Sequence, residues 1–421
     1  MTDTRVAAKE LLAHPDFRRL LTAQFLAQGA DGFAQAIFAF VLVLEPLTQG
    51  TPARILALFV LTLVPYSLIS PFLGVFVDRW SRRGLLVWTN VVRGSVLVTV
   101  PLWGGALPGH LGLYISVLLL LGLGRLFLTT KGAVLPVVLD EHHLLKGNSL
   151  SGGGGMIAAL LGGAAGVELL KLVTPYQGFT FAGVVYGAAA LFALRLSSSF
   201  AHEHPRHRSL GKSIASTAEG LVAGVLAIWS RPTARLPLIA IYVLRTIAMV
   251  IAIAAILIIK KEFPGAGQSF GRLNSGALAL GAAGAGAFAA AFVAPVAGRR
   301  LRQPGLITAG FLISGLGVIA LGGIVSIPAV LGLTFIGGFG TFLTKVAVDA
   351  QVQEALPDDF RGRAFALYDI LYNLASVSAG AVMVTLQNEP SRVVLVALGV
   401  VTLVSAAVIG GTMRRAGMAL T

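Results

Sequence analysis

The chain has 421 residues, 56% of them hydrophobic and only 12% charged, with a mean hydropathy of +0.84. A soluble domain carries about 25% charged residues, so a solvated skin is excluded and an integral membrane protein is expected. The formal net charge of +14 would point to nucleic acid in a soluble protein, but here its placement matters more than its sum, and no nucleic-acid partner is expected. The absence of cysteine excludes disulfides, thiol catalysis and Cys-type metal sites.

A spanning helix needs about 20 mostly apolar residues. The N-terminus carries Arg5, Lys9, Arg18 and Arg19, then an apolar run too long for a signal-peptide core and without a cleavage site, so a retained first span is expected at 19–44. Further spans follow at 54–77, 84–107, 111–139, 148–172 and 176–197. The short loop between the second and third reads Gly74-Val75-Phe76-Val77-Asp78-Arg79-Trp80-Ser81-Arg82-Arg83-Gly84, a basic turn carrying one acid. Ser197–Arg235 is polar at first; from Lys212 to Trp229, Ile214, Ala218, Leu221, Val225 and Ile228 recur at helical spacing, which predicts an amphipathic helix on the membrane face. Six more spans are expected at 236–260, 272–297, 304–325, 328–352, 364–387 and 391–413.

The chain thus divides into a first six-helix bundle (1–197), a cytoplasmic linker with its amphipathic helix (198–235) and a second six-helix bundle (236–421). Basic residues favour one set of loops by about three to one, so both termini are expected in the cytoplasm of a cell (inner) membrane protein. The two halves echo each other. Phe127-Leu-Thr-Thr-Lys131-Gly-Ala-Val134 parallels Thr341-Phe-Leu-Thr-Lys345-Val-Ala-Val348, and the loop Gly298-Arg299-Arg300-Leu301-Arg302-Gln303-Pro304-Gly305-Leu306 stands where Gly74–Leu86 stands in the first half, without a counterpart of Asp78. This order predicts a parallel duplication.

With two six-span halves, a long central linker and the loop Gly-x-x-x-Asp-Arg-x-x-Arg-Arg, matched at Gly74, Asp78, Arg79, Arg82 and Arg83 with Ser81 in place of the usual Gly, the chain resembles the major facilitator superfamily over essentially its whole length. The Gly-Ala-Asp31-Gly pattern and Leu-Pro-Asp-Asp-Phe-Arg-Gly-Arg-Ala-Phe-Ala-Leu at 356–367 resemble its enterobactin- and macrolide-exporter-like branch. The resemblance implies an all-α membrane fold of twelve transmembrane helices in two pseudo-symmetric bundles, and a gating role for the loop, in which Asp78 latches one access state. Gly153, Gly162 and Gly166 fit the glycine spacing of an antiporter motif whose Pro is here Val167; close helix packing explains them as well.

An ionisable residue at bilayer depth costs at least about 2.5–3.5 kcal/mol, so it normally faces a cavity or a partner. Spans one, four, seven and ten, which the resemblance places around the central cavity, carry Asp31, Arg125, Lys131, Arg245, Lys345 and Asp349; Asp369 and Glu168 join them as weaker cavity candidates. Asp31, near mid-membrane, is the proton-coupling candidate, against the plain alternative of an ion pair with Arg125 or Arg245. Arg125 and Arg245 suit an anionic substrate group or buried acids. Arg93, in the third span, falls outside this set.

No Gly-x4-Gly-Lys-Ser/Thr motif is present, so energy would come from a gradient. The expected function is a secondary transporter, a proton-coupled exporter of a small amphipathic molecule, anionic or zwitterionic by the basic excess of the interior, acting as a monomer in the lipid bilayer with protons as coupling ion and no cofactor or metal. A lipid or lysolipid flippase is the alternative within the fold. A membrane enzyme or receptor is the alternative outside it; all seven histidines lie in or beside loops, which speaks against intramembrane metal chemistry.

Overall fold

The structure, a computed structural model, describes residues 11–44, 52–73, 77, 80–104, 111–197, 210–263, 275–324, 326–356, 358–386 and 392–418. In order these form α1 (Pro15–Phe38, continued by a π-helical turn Ala39–Leu44), α2 (Pro52–Ile69, with a 3-10 turn Ser70–Leu73), α3 (Arg82–Trp103), α4 (Leu111–Val138), α5 (Glu141–Leu169), α6 (Pro175–Leu194) and α7 (Leu210–Trp229). Then come α8 (Pro232–Glu262), α9 (Ser275–Ala297), α10 (Gln303–Gly322), α11 (Ile327–Ala355), α12 (Asp358–Thr385) and α13 (Arg392–Arg415). Helices are the only open-ended way to satisfy every backbone polar group inside a bilayer. Their ends are capped where water begins again: Ser81 accepts from the Gly84 amide, Ser326 from the Ala329 amide, and Thr174 with Gln177 closes a capping box.

Among the described residues, eleven helices are long and apolar enough to cross a membrane. The expected span 54–77 corresponds to α2, whose described apolar stretch, Phe59–Leu73, is shorter than a full span. Leu161, Phe181, Phe292 and Val393 are more than half exposed, as a lipid-facing surface requires. The helix expected at 212–229 is α7 (Leu210–Trp229). Gly220, Gly224 and Ile228 are buried, whereas Val222, Leu226 and Trp229 are each more than 60% exposed.

The chain divides into two compact units, Met1–Val43 with Leu68–Ser216, and Leu44–Ser67 with Thr217–Thr421. The first part of α2 therefore counts with the second unit, where Leu56 lies against Gly380 of α12. In the first unit α1 packs on α5 and α6, and α3 on α6 and α4; in the second α8 packs on α12 and α13, and α10 on α13 and α11. These are the same pairings helix for helix, as a parallel duplication requires.

Small residues make these contacts possible. A Cβ on Gly32 would stand 1.9 Å from the Ala159 carbonyl oxygen, and one on Gly162 only 2.0 Å from that of Gly29, so α1 and α5 touch backbone to backbone. α9 and α11 repeat the arrangement through Gly286 against Phe335 and Gly338 against Ala283. Of the three glycines of the fifth span, Gly162 and Gly166 meet α1 this way, while Gly153 faces open space. Because the obstacle is backbone, even Gly162→Ala is expected to destabilise by about 1–3 kcal/mol. Gly122→Ala, where nothing lies within 4 Å, is the control; equal thermal unfolding midpoints for the two purified variants would sink this reading.

Candidate transport site

Four helices of the first unit converge on Asp31. Arg93 of α3 donates from Nη1 to both its carboxylate oxygens, at 2.9 and 3.1 Å, and Tyr186 of α6 donates its hydroxyl to Oδ1. Arg93 is wholly buried. Its other donors go to Asn90 Oδ1 at 2.6 Å and to the Thr89 carbonyl at 3.2 Å, and its guanidinium lies 4.5 Å from the Tyr186 ring centroid and 5.2 Å from that of Phe127. Gly124 of α4 leaves room for both charges, since a Cβ there would sit 3.5 Å from Arg93 and 3.7 Å from Asp31. The ion pair foreseen for Asp31 exists, but Arg93 takes the place expected of Arg125 or Arg245. Arg125, beside Gly124, is half-buried.

A second polar cluster lies about 10 Å along α1, seven residues earlier. Gln24, 1% exposed, donates to Gln28 Oε1 at 2.6 Å and to the Ser151 carbonyl at 2.8 Å, and it accepts from Ser151 Oγ at 2.7 Å. Lys131 of α4 reaches the same Ser151 hydroxyl at 2.8 Å. Neutral residues thus hold the lysine that sequence reasoning singled out. Among the described residues no group of three or more His, Cys, Asp or Glu could hold a metal ion.

In the second unit Arg245, Lys345, Asp349 and Asp369 gather around two tyrosines. Lys345 donates to Asp349 Oδ2 at 2.7 Å, one turn on along α11, and lies 5.2 Å from the Tyr368 ring centroid. Arg245 of α8 lies 4.5 Å from the Tyr372 ring, which stacks on Tyr368. Asp349, Asp369 and Arg245 all act electrostatically on Tyr368. Asp349 Oδ1 and Arg245 Nε are buried without hydrogen-bond partners. Tyr242 and Ser378 share a hydrogen bond of 2.7 Å between α8 and α12.

The structure does not bring Glu168 into either cluster. It is 64% exposed and pairs with Lys171 at 2.7 Å at the end of α5, a position where hydration keeps both charges cheap. Of the gating loop, Gly74, Asp78 and Arg79 lie outside the described residues; Arg82 donates to the Ala133 carbonyl at 2.9 Å and Arg83 to that of Leu194, which ties the start of α3 to α4 and α6.

A family model described as Major Facilitator Superfamily matches residues 24–380. The chain belongs to the Major Facilitator Superfamily. It is 29% identical over 370 residues to an uncharacterised MFS-type transporter of Mycobacterium tuberculosis, covering 85% of this chain and 82% of that one. A proposed bacilysin exporter of Bacillus subtilis is 31% identical over 133 residues, 31% of this chain and 32% of that one. Among solved structures, a peptide transporter POT in complex with sulfate superposes with a TM-score of 0.70 at 15% identity, covering 97% of this chain and 98% of that one. A POT family transporter in complex with 5-aminolevulinic acid superposes with a TM-score of 0.69 at 14% identity, over 95% and 96%. The chain is a multi-pass membrane transporter of the MFS type, and not an enzyme.

Against this MFS framework the two repeats differ where it matters for charge. α3 and α6 cross at Gly94 and Gly183; α10 and α13 cross at Gly315 and Gly399. Those crossings set the register, so Arg93 corresponds to Ser314 and Tyr186 to Thr402. Ser314 Oγ is buried without a partner, and Thr402 donates to the Leu398 carbonyl of its own helix. The second repeat therefore keeps small hydroxyls where the first holds a buried cation and its phenol. Sequence reasoning saw Arg93 as an ionisable residue at depth but had no partner for it. Asn90, Tyr186, Gln24 and Ser151 carried no signal beyond being polar within apolar spans.

Proposed function

We propose that this MFS transporter is a proton-coupled exporter of a small amphipathic molecule with an anionic or zwitterionic group, and that Asp31 is the carboxylate through which proton movement is coupled to alternating access. The observation that carries the reading is the burial of Arg93 with Asp31 accepting from it through both oxygens. A proton on Asp31 would leave a wholly buried guanidinium without its counter-charge, a cost of several kcal/mol. Such a state is relieved only by rearranging the helices that hold it, which links protonation to conformation. For the substrate, Arg245 and Lys345 beside the stacked Tyr368 and Tyr372 offer cations next to aromatic surface. The unpartnered buried atoms of Arg245 and Asp349 are polar groups that a ligand can satisfy. The partial relative described as an exporter supports the outward direction. The Lys/Arg distribution supports cytoplasmic termini, a monomer suffices for the reading, and Gly74, Asp78, Arg79, Arg82 and Arg83 form its gate, with Asp78 as a one-sided latch.

The test begins with a thermal-shift screen of purified protein against siderophores, macrolides, bacilysin, lysolipids and cationic dyes. The stabilising compound is then followed in proteoliposomes under an imposed pH gradient. Transport driven by the gradient and arrested by a protonophore is expected. Transport at the same rate after the gradient collapses would overturn proton coupling, and stabilisation by lysolipids alone would favour the flippase.

A further inference from the structure

The basic loop Gly298–Leu306 is left over by this reading. It joins two spans, α9 and α10, and therefore lies at the membrane surface. In the second unit it borders a cavity of about 650 Å³ that also reaches α11. Arg299, Arg300 and Arg302 stand along one side, all exposed, and among the described residues none of the three is hydrogen-bonded or ion-paired to a carboxylate. One acid, Glu354, shares the lining, and it accepts from Gln303 Nε2 at 2.8 Å. The start of α10 has no side-chain cap, with Arg302 at the N-cap, so the positive end of that helix adds to the field. The first-half loop carries Asp78 within its basic run, whereas this loop has no acid at all.

The rest of the lining is apolar. Pro295 and Leu306 line it beside the loop, and Val346, Ala347 and Ala350 of α11 carry it along that helix away from the helix end. Val346 lies nine residues before the end of α11, about 13 Å along its axis, and is 36% exposed. A cluster of cations at the loop end and an apolar wall reaching about 13 Å along α11 match a molecule with a phosphate at one end and hydrocarbon at the other. We infer that this cavity is a binding site for an anionic phospholipid of the adjoining leaflet, its phosphate held by Arg299, Arg300 and Arg302 and its glycerol and upper acyl chain lying against Val346 and Ala350. Basic pockets between membrane helices bind such headgroups by this combination of charge and burial. A free phosphate shares the headgroup chemistry but makes no use of the apolar wall.

The experiment is native mass spectrometry of the full chain in detergent, titrated with dioleoyl phosphatidylglycerol or dioleoyl phosphatidylcholine, together with thermal shifts in millimolar inorganic phosphate. The first phosphatidylglycerol is expected to bind more tightly than phosphatidylcholine. Each arginine replaced by Gln is expected to weaken it about fivefold, so that R299Q/R300Q/R302Q loses about a hundredfold and with it the preference. Ala350→Trp, which fills the apolar wall, is expected to weaken the lipid while leaving any phosphate effect unchanged. Equal affinity for the two lipids, or full retention in the triple variant, overturns the assignment. A phosphate effect as large as the lipid's and indifferent to Ala350→Trp makes it a site for free phosphate and overturns the lipid. The arginines are exposed, so the triple variant decides the matter even if Ala350→Trp does not fold.

Discussion

Asp31→Asn is expected to abolish proton-driven transport while leaving the protein folded and able to bind its substrate. Asn keeps an oxygen that can accept from Arg93 and from Tyr186, so the local packing around Oδ1 has a replacement in place. It loses the charge and the ability to exchange a proton, which is what the proposed coupling needs. Binding, read by the thermal shift of whichever compound stabilises the wild type, should persist, since the proposed substrate contacts lie on Arg245, Lys345, Tyr368 and Tyr372. Uptake into inverted vesicles under a pH gradient should fall to the level seen with a protonophore. Coupled uptake at the wild-type rate in Asp31→Asn would remove this residue from the mechanism. Loss of binding together with transport would instead mark Asp31 as part of the substrate site.

The larger effect on stability is expected from Arg93. Arg93→Leu leaves Asp31 with an uncompensated charge in a site from which water is largely excluded, and also strips Asn90 of a donor. Removing one partner of a buried ion pair costs about 3–5 kcal/mol. The second substitution separates the charge from the loss of packing. In Arg93→Leu with Asp31→Asn the uncompensated carboxylate is gone, so the double variant should be more stable than Arg93→Leu alone, with a coupling energy of about 0.5–3 kcal/mol between the two sites. Unfolding midpoints of the four proteins of this cycle, in one detergent, give the answer. Strict additivity would mean that the two side chains do not act as a pair, and the coupling proposal would lose its physical basis.

The helices were legible before the fold was, because a span must carry about 20 apolar residues whatever it packs against. The expected 111–139 meets α4 within one residue and the expected 176–197 meets α6 within three, and the expected 84–107 meets α3. Boundaries slipped most at α5 and α12, which begin at Glu141 and Asp358, before the apolar run itself. Hydropathy marks where a helix enters lipid, and a helix can continue into water beyond that point. On α7 the helical period was visible in the sequence, and the helix is there, from Leu210 to Trp229.

The site was legible in its ionisable members and not in its pairings. That Asp31 at mid-membrane needs a partner follows from the cost of a charge in hydrocarbon. That the partner is Arg93, sixty-two residues away on another helix, depends on which helices are neighbours and how each is rotated. Arg245, Lys345, Asp349 and Asp369 were each suspect singly, while the tyrosines that join them, Tyr368 and Tyr372, look like any aromatic residues in an apolar span. Glu168, a weaker candidate near the outer end of its span, pairs with Lys171 one turn away at the helix end.

By itself the sequence determined that this chain lives in a membrane, where its apolar spans lie, that its halves are repeats and which side chains are costly at depth; each is a property of composition along the chain, set by transfer from water. Only the tertiary structure decided which glycines among 51 bring backbones together, which cation answers Asp31, and that the acid-free second loop opens on a cavity with an apolar wall. Those depend on the rotation of helices about their axes and on the crossing points that small residues permit. A hundred degrees of rotation per residue turns a candidate toward a partner or toward lipid, and neighbours far apart in the chain settle which.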